Sequence, residues 1–334
     1  MPTSHDVARL AGVSQSTVSR ALRGEAGIAA ATVARVQAAA EALNYAPSET
    51  GRALSTRRTW SVGIFAGELT NPFYPELVEP IRHFLAEKGY RSILLDDLPA
   101  KERIVHGVMD GAIVTSAVTG CSVVAQLVEA QVPFVLANRT LDAVVSDGCH
   151  ADNETGGALA ARFLLGLGHT CISALFGPRN TSTGREREHG FRTELANAGM
   201  TLPAHLGAHC DFTEREGHAA AMRLLALPEP PTAIFCANDV VAFGALNAAR
   251  DARREVGENL TVIGFDDIAM SAWQTIGLTT IGYDFALMAE KSVALLHRRI
   301  LDPSADPRTE VLPVRVIERG THHRPTAENS GAEL

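Results

Sequence analysis

The residues best suited to chemistry stand near the start of the chain, where Ser14, Gln15, Ser16, Ser19 and Arg20 fall within one short run. At that spacing Gln15, Ser16, Ser19 and Arg20 share the outer face of a helix, while Val18, Ala21 and Leu22 share the opposite one. Arg can bond O6 and N7 of guanine, and Gln can bond adenine, so such a face suits the major groove of DNA. An ordinary helical hairpin with a solvated face would show the same pattern, and the flanking elements must decide.

Those elements fit a DNA-reading head. Thr3 and Asp6 stand as an N-cap and its return partner, and Val7, Ala8, Leu10 and Ala11 line one helical face behind them. Gly12 can end that helix in the left-handed conformation, and Ser14 can cap a second helix starting near Gln15. The run Thr32 to Leu43 predicts a third helix, which Asn44 can end; Ala29, Ala30 and Ala31 leave its start without a side-chain cap. Then follows PSETGRALSTRR, too polar and short for a core of its own, which by composition reads as a flexible linker. Its lone large apolar residue, Leu54, lies between Arg52 and Arg57, an arrangement that a minor-groove wedge requires.

Charge divides in the same way. The chain of 334 residues has a net charge of −8, yet its first 58 residues hold seven arginines and four acids. A basic head on an acidic body fits a head that meets phosphates and a body with another task. With 46% apolar residues the remainder can fill alanine- and valine-rich cores, so two or three globular units are expected. Five scattered cysteines contain no C-x-x-C pair, and His205 with His209 lacks a third ligand in a Pro- and Gly-punctuated stretch, so no metal or cofactor is called for. No run of eighteen apolar residues and no secretory pattern is present, which places the expected protein in the cytoplasm without a membrane partner.

From Trp60 onward, short apolar runs alternate with helical stretches, from SVGIFAG through PFVLAN and again from CISALFG through LTVIGFDD. This is the pattern of βαβ units and predicts two parallel sheets. Several strands end in polar residues, namely Asn138, Asn238 with Asp239, and Asp266 with Asp267. Ligands of open parallel sheets bind beyond the carboxyl ends of the strands, so the cleft between the two units is the expected site. A nicotinamide enzyme of that architecture would need a G-x-G-x-x-G turn, which GIFAGELTNP lacks, and no Ser/His/Asp grouping is visible.

Taken in order, DVARLAGVSQSTVSRAL, YAPSETGRAL, SVGIFAGELTNPFY, LLGLGHTCISALFGP, STGREREHGFR, AIFCANDVVAFGAL and VIGFDDIAMS resemble the LacI family of bacterial transcription repressors. The resemblance runs from Thr3 to about Gly320. It implies a small all-α helix-turn-helix head (residues 1–46), a hinge (47–59) and a two-lobed α/β body of the type I periplasmic-binding-protein kind (60–320), with a disordered tail at 321–334. Lobe one would take about 60–150 plus 283–312, and lobe two 151–282 plus 313–320. The implied function is a repressor, a homodimer or higher homo-oligomer, whose grip on operator DNA is controlled by a small effector, a sugar or related polyhydroxy compound.

Carried over by position, Gln15, Ser16 and Arg20 resemble base readers, Ser14 and Ser19 phosphate contacts, and Leu54 the hinge wedge. The implied ligand residues are Phe73, Asn138, Arg187, Phe212, Asn238 and Asp266. Arg187 could bond two oxygens as a fork, Asp266 could accept from hydroxyls, and the two phenylalanines could cover an apolar face. Taken without the family, Arg187 in REREH reads as a solvated helix face and Phe73 and Phe212 as core. Three departures stand out: a shortened segment between SILLDD and VMDGAIV, Gly51 where the family tends to have alanine, and the crossover TTIGYDF. In that crossover Tyr283 can either reach the pocket mouth or pack between subdomains. A sugar-transport receptor would share the body but has no use for the head.

Overall fold

A computed structural model describes residues 2–22, 24, 27–45, 58–96, 104 and 107–325, which fall into two compact units, a head up to Trp60 and a body from Ser61. Residues 46–57 (with Gly51, Leu54 and Arg57), most of the shortened segment at 97–106 and the end of the tail, 326–334, lie outside the described residues, whereas the start of the tail expected to be disordered, 321–325, is held in place, with Thr321 buried and its hydroxyl donating to the Val262 carbonyl.

The head holds three helices, α1 (Ser4–Ala11), α2 (Gln15–Leu22) and α3 (Ala30–Ala42). Thr3 and Asp6 form the reciprocal cap of α1, and Gly12 ends it at φ 65°. Helix α3 begins two residues earlier than its periodicity suggests, and Ala29 offers it no side-chain cap. Val7, Ala8 and Ala11 of α1, Val18 and Ala21 of α2, and Val36, Ala39 and Ala40 of α3 close one small core. Small residues allow the short helices to approach each other closely enough to exclude water.

In the body the order is β1 (Ser61–Ala66), α4 (Phe73–Glu87), β2 (Arg91–Asp96), β3 (Gly111–Val114), α5 (Ser122–Glu129), β4 (Phe134–Ala137), β5 (Asp147–Ala151) and α6 (Asn153–Leu167). There follow β6 (Ile172–Phe176), α7 (Ser182–Asn197), β7 (Gly207–His209), α8 (Glu214–Leu225), β8 (Ala233–Cys236), α9 (Asp239–Asp251) and β9 (Thr261–Asp266). The chain closes with β10 (Thr279–Gly282), α10 (Phe285–Leu301), β11 (Thr309–Leu312) and β12 (Arg315–Ile317). One sheet has the order β11-β5-β4-β3-β1-β2 and the other β12-β10-β9-β8-β6-β7. The first is parallel throughout; the second departs from the expected parallel sheet at one edge, where β12 pairs antiparallel with β10.

Strands such as β1, β8 and β9 are buried along their whole length because helices cover both faces of each sheet, which is why their sequences are continuous apolar runs. Strands β5, β7, β11 and β12 escape the periodicity reading, being three to five residues long and rich in polar groups. In the second lobe α6 and α7 meet backbone to backbone. A Cβ on Gly157 would stand 2.2 Å from the Arg187 carbonyl, and one on Gly190 would stand 1.9 Å from the Glu154 carbonyl. Only glycine permits that approach. It brings the first residue of α6, Asn153, against the second turn of α7.

Candidate functional site

Both sheets point the carboxyl ends of their strands into one cleft of the body. Asn138 and Arg139 follow β4, Asn238 follows β8 and Asp266 ends β9. Together with Phe73 at the start of α4, Phe212 before α8 and Arg187 on α7, they line an inner cavity of about 20 Å³. The structure therefore brings all six ligand residues implied by the sequence to one place, and adds Asn71, Tyr74, Arg139 and Thr183. Asn138 and Asp266 hold φ angles of 72° and 114°. For non-glycine residues such conformations cost roughly 1–3 kcal/mol each and tend to gather where a site must be held in place.

Arg187 is only 2% exposed, so the solvated face that REREH suggests is corrected. The glycine contact between α6 and α7 buries that face. Its Nε donates to Asn153 Oδ1 at 2.9 Å, while its two terminal nitrogens donate to the Ala237 carbonyl at 2.6 Å and Asp266 Oδ1 at 2.9 Å. The guanidinium carbon lies 3.6 Å from the ring centre of Phe265. Asp266 Oδ1 also accepts from the Tyr283 hydroxyl at 3.2 Å. Burial pushes the Asp266 carboxyl up and the Arg187 charge pulls it back. Nearby, Asp239 accepts from Thr280, Ser271 and the Ile268 amide; burial, with the Asp266 charge, pushes it up to about 8.

The remaining residues have narrower roles. Asn238 caps α9 by accepting from the Val241 amide at 2.8 Å, and Asn138 Nδ2 donates to the Thr115 carbonyl at 3.5 Å. Phe73 packs against Tyr74 and Phe285. Tyr283 lines neither the inner cavity nor the groove beside it; it stacks on Phe285 at 5.0 Å and so holds Asp266 from behind. Arg139 is a lining residue beyond those the sequence implies, and its place next to Asn138 in LANRT is the one signal of it along the chain.

Hydrogen bonds across the cleft join the two lobes. Asn71 Nδ2 donates to the Phe212 carbonyl at 3.1 Å, the Thr119 amide to Asn180 at 2.8 Å, the Thr140 amide to Ser182 Oγ at 2.9 Å and the Ala269 amide to Glu76 at 2.9 Å. A larger groove of about 1170 Å³ shares Asn71, Tyr74, Arg139 and Phe212 with the inner cavity and runs past Phe243, Leu246, Val256 and Ile276. Its size does not make it the site of the chemistry. The convergent polar groups and the strained backbone belong to the small cavity.

On the head, Ser14, Gln15, Ser16, Ser19 and Arg20 are exposed. Ser14 stands before α2 as its cap, its Oγ accepting from the Thr17 amide at 3.2 Å. Gln15 Nε2 donates to Ser4 Oγ at 2.9 Å, which ties the start of α2 to α1. All five cysteines are free thiols, and burial pushes Cys149 and Cys210 up to about 12. Among the described residues no three His, Cys, Asp or Glu side chains stand together as a metal site, and no helix is long and apolar enough to cross a membrane.

Comparison with known proteins gives matching results over the same parts. Residues 3–48 match the family of bacterial regulatory proteins of the lacI type, and residues 161–322 match a periplasmic binding protein-like domain. The chain is 32% identical to the ribose operon repressor of Escherichia coli (strain K12) over 96% of its length and all of that protein. It is 30% identical to the transcriptional repressor PurR of Aliivibrio salmonicida (strain LFI1238) over 97% of the chain and all of that protein. Among solved structures, a lac repressor dimer bound to operator and an anti-inducer superposes with a TM-score of 0.83 at 26% identity, covering 96% of this chain and 98% of that one. The regulator CelR in complex with cellobiose gives a TM-score of 0.75 at 30% identity, covering 96% of this chain and all of that one. A regulator from Enterococcus faecium with bound ribose gives 0.70 at 27%, covering 80% of this chain and all of that one.

Proposed function

Because this chain belongs to the LacI family of bacterial regulatory proteins, we propose that it is a dimeric repressor, a binding protein and not an enzyme, which acts on DNA in the cytoplasm and answers to a small polyhydroxy effector. The observation that carries the effector site is the meeting of Arg187, Asp266, Asn138, Asn238 and Arg139 at the strand ends of both sheets, in a single cavity. A fork of N–H donors beside a carboxylate acceptor suits vicinal hydroxyls, and Phe73 and Phe212 supply apolar cover. Relatives bound to ribose and cellobiose support a sugar.

The cavity volume gives the switch a physical form. About 20 Å³ admits roughly one water, so a sugar requires the lobes to part and the bonds that Asn71 and Thr140 donate and Glu76 accepts to yield. A ligand that binds best at one lobe angle shifts the population towards that angle. In a dimer, that shift changes the spacing of the two hinge segments, and Leu54 wedges the minor groove only when both are properly placed. On α2, Gln15, Ser16 and Arg20 read bases, while Ser19 and the capping Ser14 just before the helix meet phosphates.

An operator obtained by selection from random DNA allows the test. Operator affinity is measured with and without ribose and cellobiose, in the wild type and in Arg20→Ala and Leu54→Ala. Arg20→Ala should lose discrimination worth about 1–3 kcal/mol between operator and random DNA, and Leu54→Ala should lower operator affinity without altering effector binding by the free protein. Equal losses on operator and random DNA for Arg20→Ala would remove it as a reader, and effector binding that leaves operator affinity unmoved would remove the switch.

A further inference from the structure

We propose that the effector is a polyhydroxy compound carrying an anionic group, a sugar acid or a sugar phosphate, whose charge is met by Arg139. This rests on the inner cavity being the effector site. The fixed charges around that cavity do not balance. Arg187 is taken up by Asp266 at 2.9 Å, Asp267 pairs with Arg319 at 2.6 Å, and Asp142 pairs with Arg185 at 3.0 Å. Glu76 accepts from the Ala269 amide, and Asp239 is enclosed by Thr280, Ser271 and Ile268.

Arg139 is left over. It is 8% exposed and, among the described residues, makes no ion pair of its own; Asp266, which feels its charge across the cavity, is already bonded by Arg187 and Tyr283. One terminal nitrogen of Arg139 donates to the Ser116 carbonyl at 3.1 Å, the other to the Tyr74 hydroxyl at 3.4 Å, and the Phe212 ring lies 5.7 Å away. All three are neutral. Among the described residues nothing bonds Arg139 Nε or Ser116 Oγ, although both atoms are buried. A neutral hydroxyl would satisfy the orphan N–H but leave a desolvated cation uncompensated, whereas a carboxylate or phosphate answers both needs and can engage the guanidinium as a fork. Glu68, Asp211 and Glu214 line the wider groove and not the inner cavity, and among the described residues none of them bonds Arg139. Because Arg139 borders both the groove and the inner cavity, the anionic group would sit at the neck between them.

Matched pairs test the charge. Melting of the full chain is followed with gluconate against glucose and with ribose 5-phosphate against ribose, in the wild type, Arg139→Gln and Arg139→Lys. In at least one pair the anion should bind about tenfold tighter or more, the preference should vanish in Arg139→Gln and part of it should survive in Arg139→Lys. The pair that responds tells carboxylate from phosphate. A neutral sugar that binds as tightly as its anionic partner overturns the proposal. Without any ligand, Arg139→Gln should hold or raise the melting temperature, since it removes an unmatched buried charge; a fall of several degrees overturns the proposal even if no compound in the panel binds. An anion that binds without moving operator affinity upholds the charge match and sinks the switch. A neutral sugar that binds and releases operator does the reverse.

Discussion

Arg187 and Asp266 hold each other as much as they await a ligand. Their side chains are 2% and 5% exposed, and the pair is braced by Asn153, Ala237, Phe265 and Tyr283. Removing one member leaves the other charge buried and unmatched, which costs about 3–5 kcal/mol. Asp266→Ala should therefore lower the melting temperature by many degrees besides abolishing effector response. Calorimetry separates the two effects, and a variant as stable as the wild type would show that the pair contributes nothing. His169 is a second residue whose environment has a measurable consequence. Its ring nitrogens lie 2.9 Å from Thr232 Oγ1 and 3.0 Å from Thr261 Oγ1, and burial pushes it down to about 4. The unfolded chain then binds more protons than the folded one between pH 6.5 and 4, so stability falls as pH drops through that window, on the order of 3 kcal/mol for this group. In His169→Gln the decline in melting temperature from pH 7 to pH 5 should be shallower, and an unchanged slope counts against the assignment.

Among the elements, the contact between α6 and α7 is what turns a charged helical run into part of a binding site. Gly190 leaves no room for a methyl group, whereas Gly166, also on α6–α7 but on the outer side of α6, has nothing within 4 Å of its missing Cβ. Gly190→Ala should separate the helices at a cost of about 1–3 kcal/mol and weaken effector binding by displacing Arg187, three residues earlier. Gly166→Ala should stabilise by up to about 1 kcal/mol through helix propensity alone. Melting curves and effector titrations of the two variants decide it: similar behaviour would mean that close packing does not position Arg187.

For the whole molecule the open question is what covers the apolar groove along α9, where Phe243, Leu246, Val256 and Ile276 are partly buried. A single recognition helix reads too few base pairs for an operator, so a palindrome and a two-fold dimer are required. A second copy of this chain is the proposed occupant. Phe243→Glu should give a monomer by light scattering at micromolar concentration and lose operator affinity while retaining effector binding. A dimer that persists in this variant places the interface elsewhere.

Features that depend on neighbours a few residues apart are legible in the amino-acid order alone. The cap at Thr3, the turn at Gly12, the two faces of α2 and the apolar strands were legible because each is a local contest between backbone and side chain. Asn138, Asn238 and Asp266 were also within reach, since strand ends are visible as the place where an apolar run turns polar. Which charges are matched depends on how the folded elements pack. Arg187 finds its partners 34 and 79 residues away, and Tyr283 turns its hydroxyl to Asp266. Among the described residues Arg139 forms no ion pair of its own, because Asp266, the carboxylate that lines the same cavity, is already bonded by Arg187 and Tyr283. Burial and pairing of charge depend on the packing of whole elements, here through glycines that let two helices touch, and no periodicity along the chain records that contact.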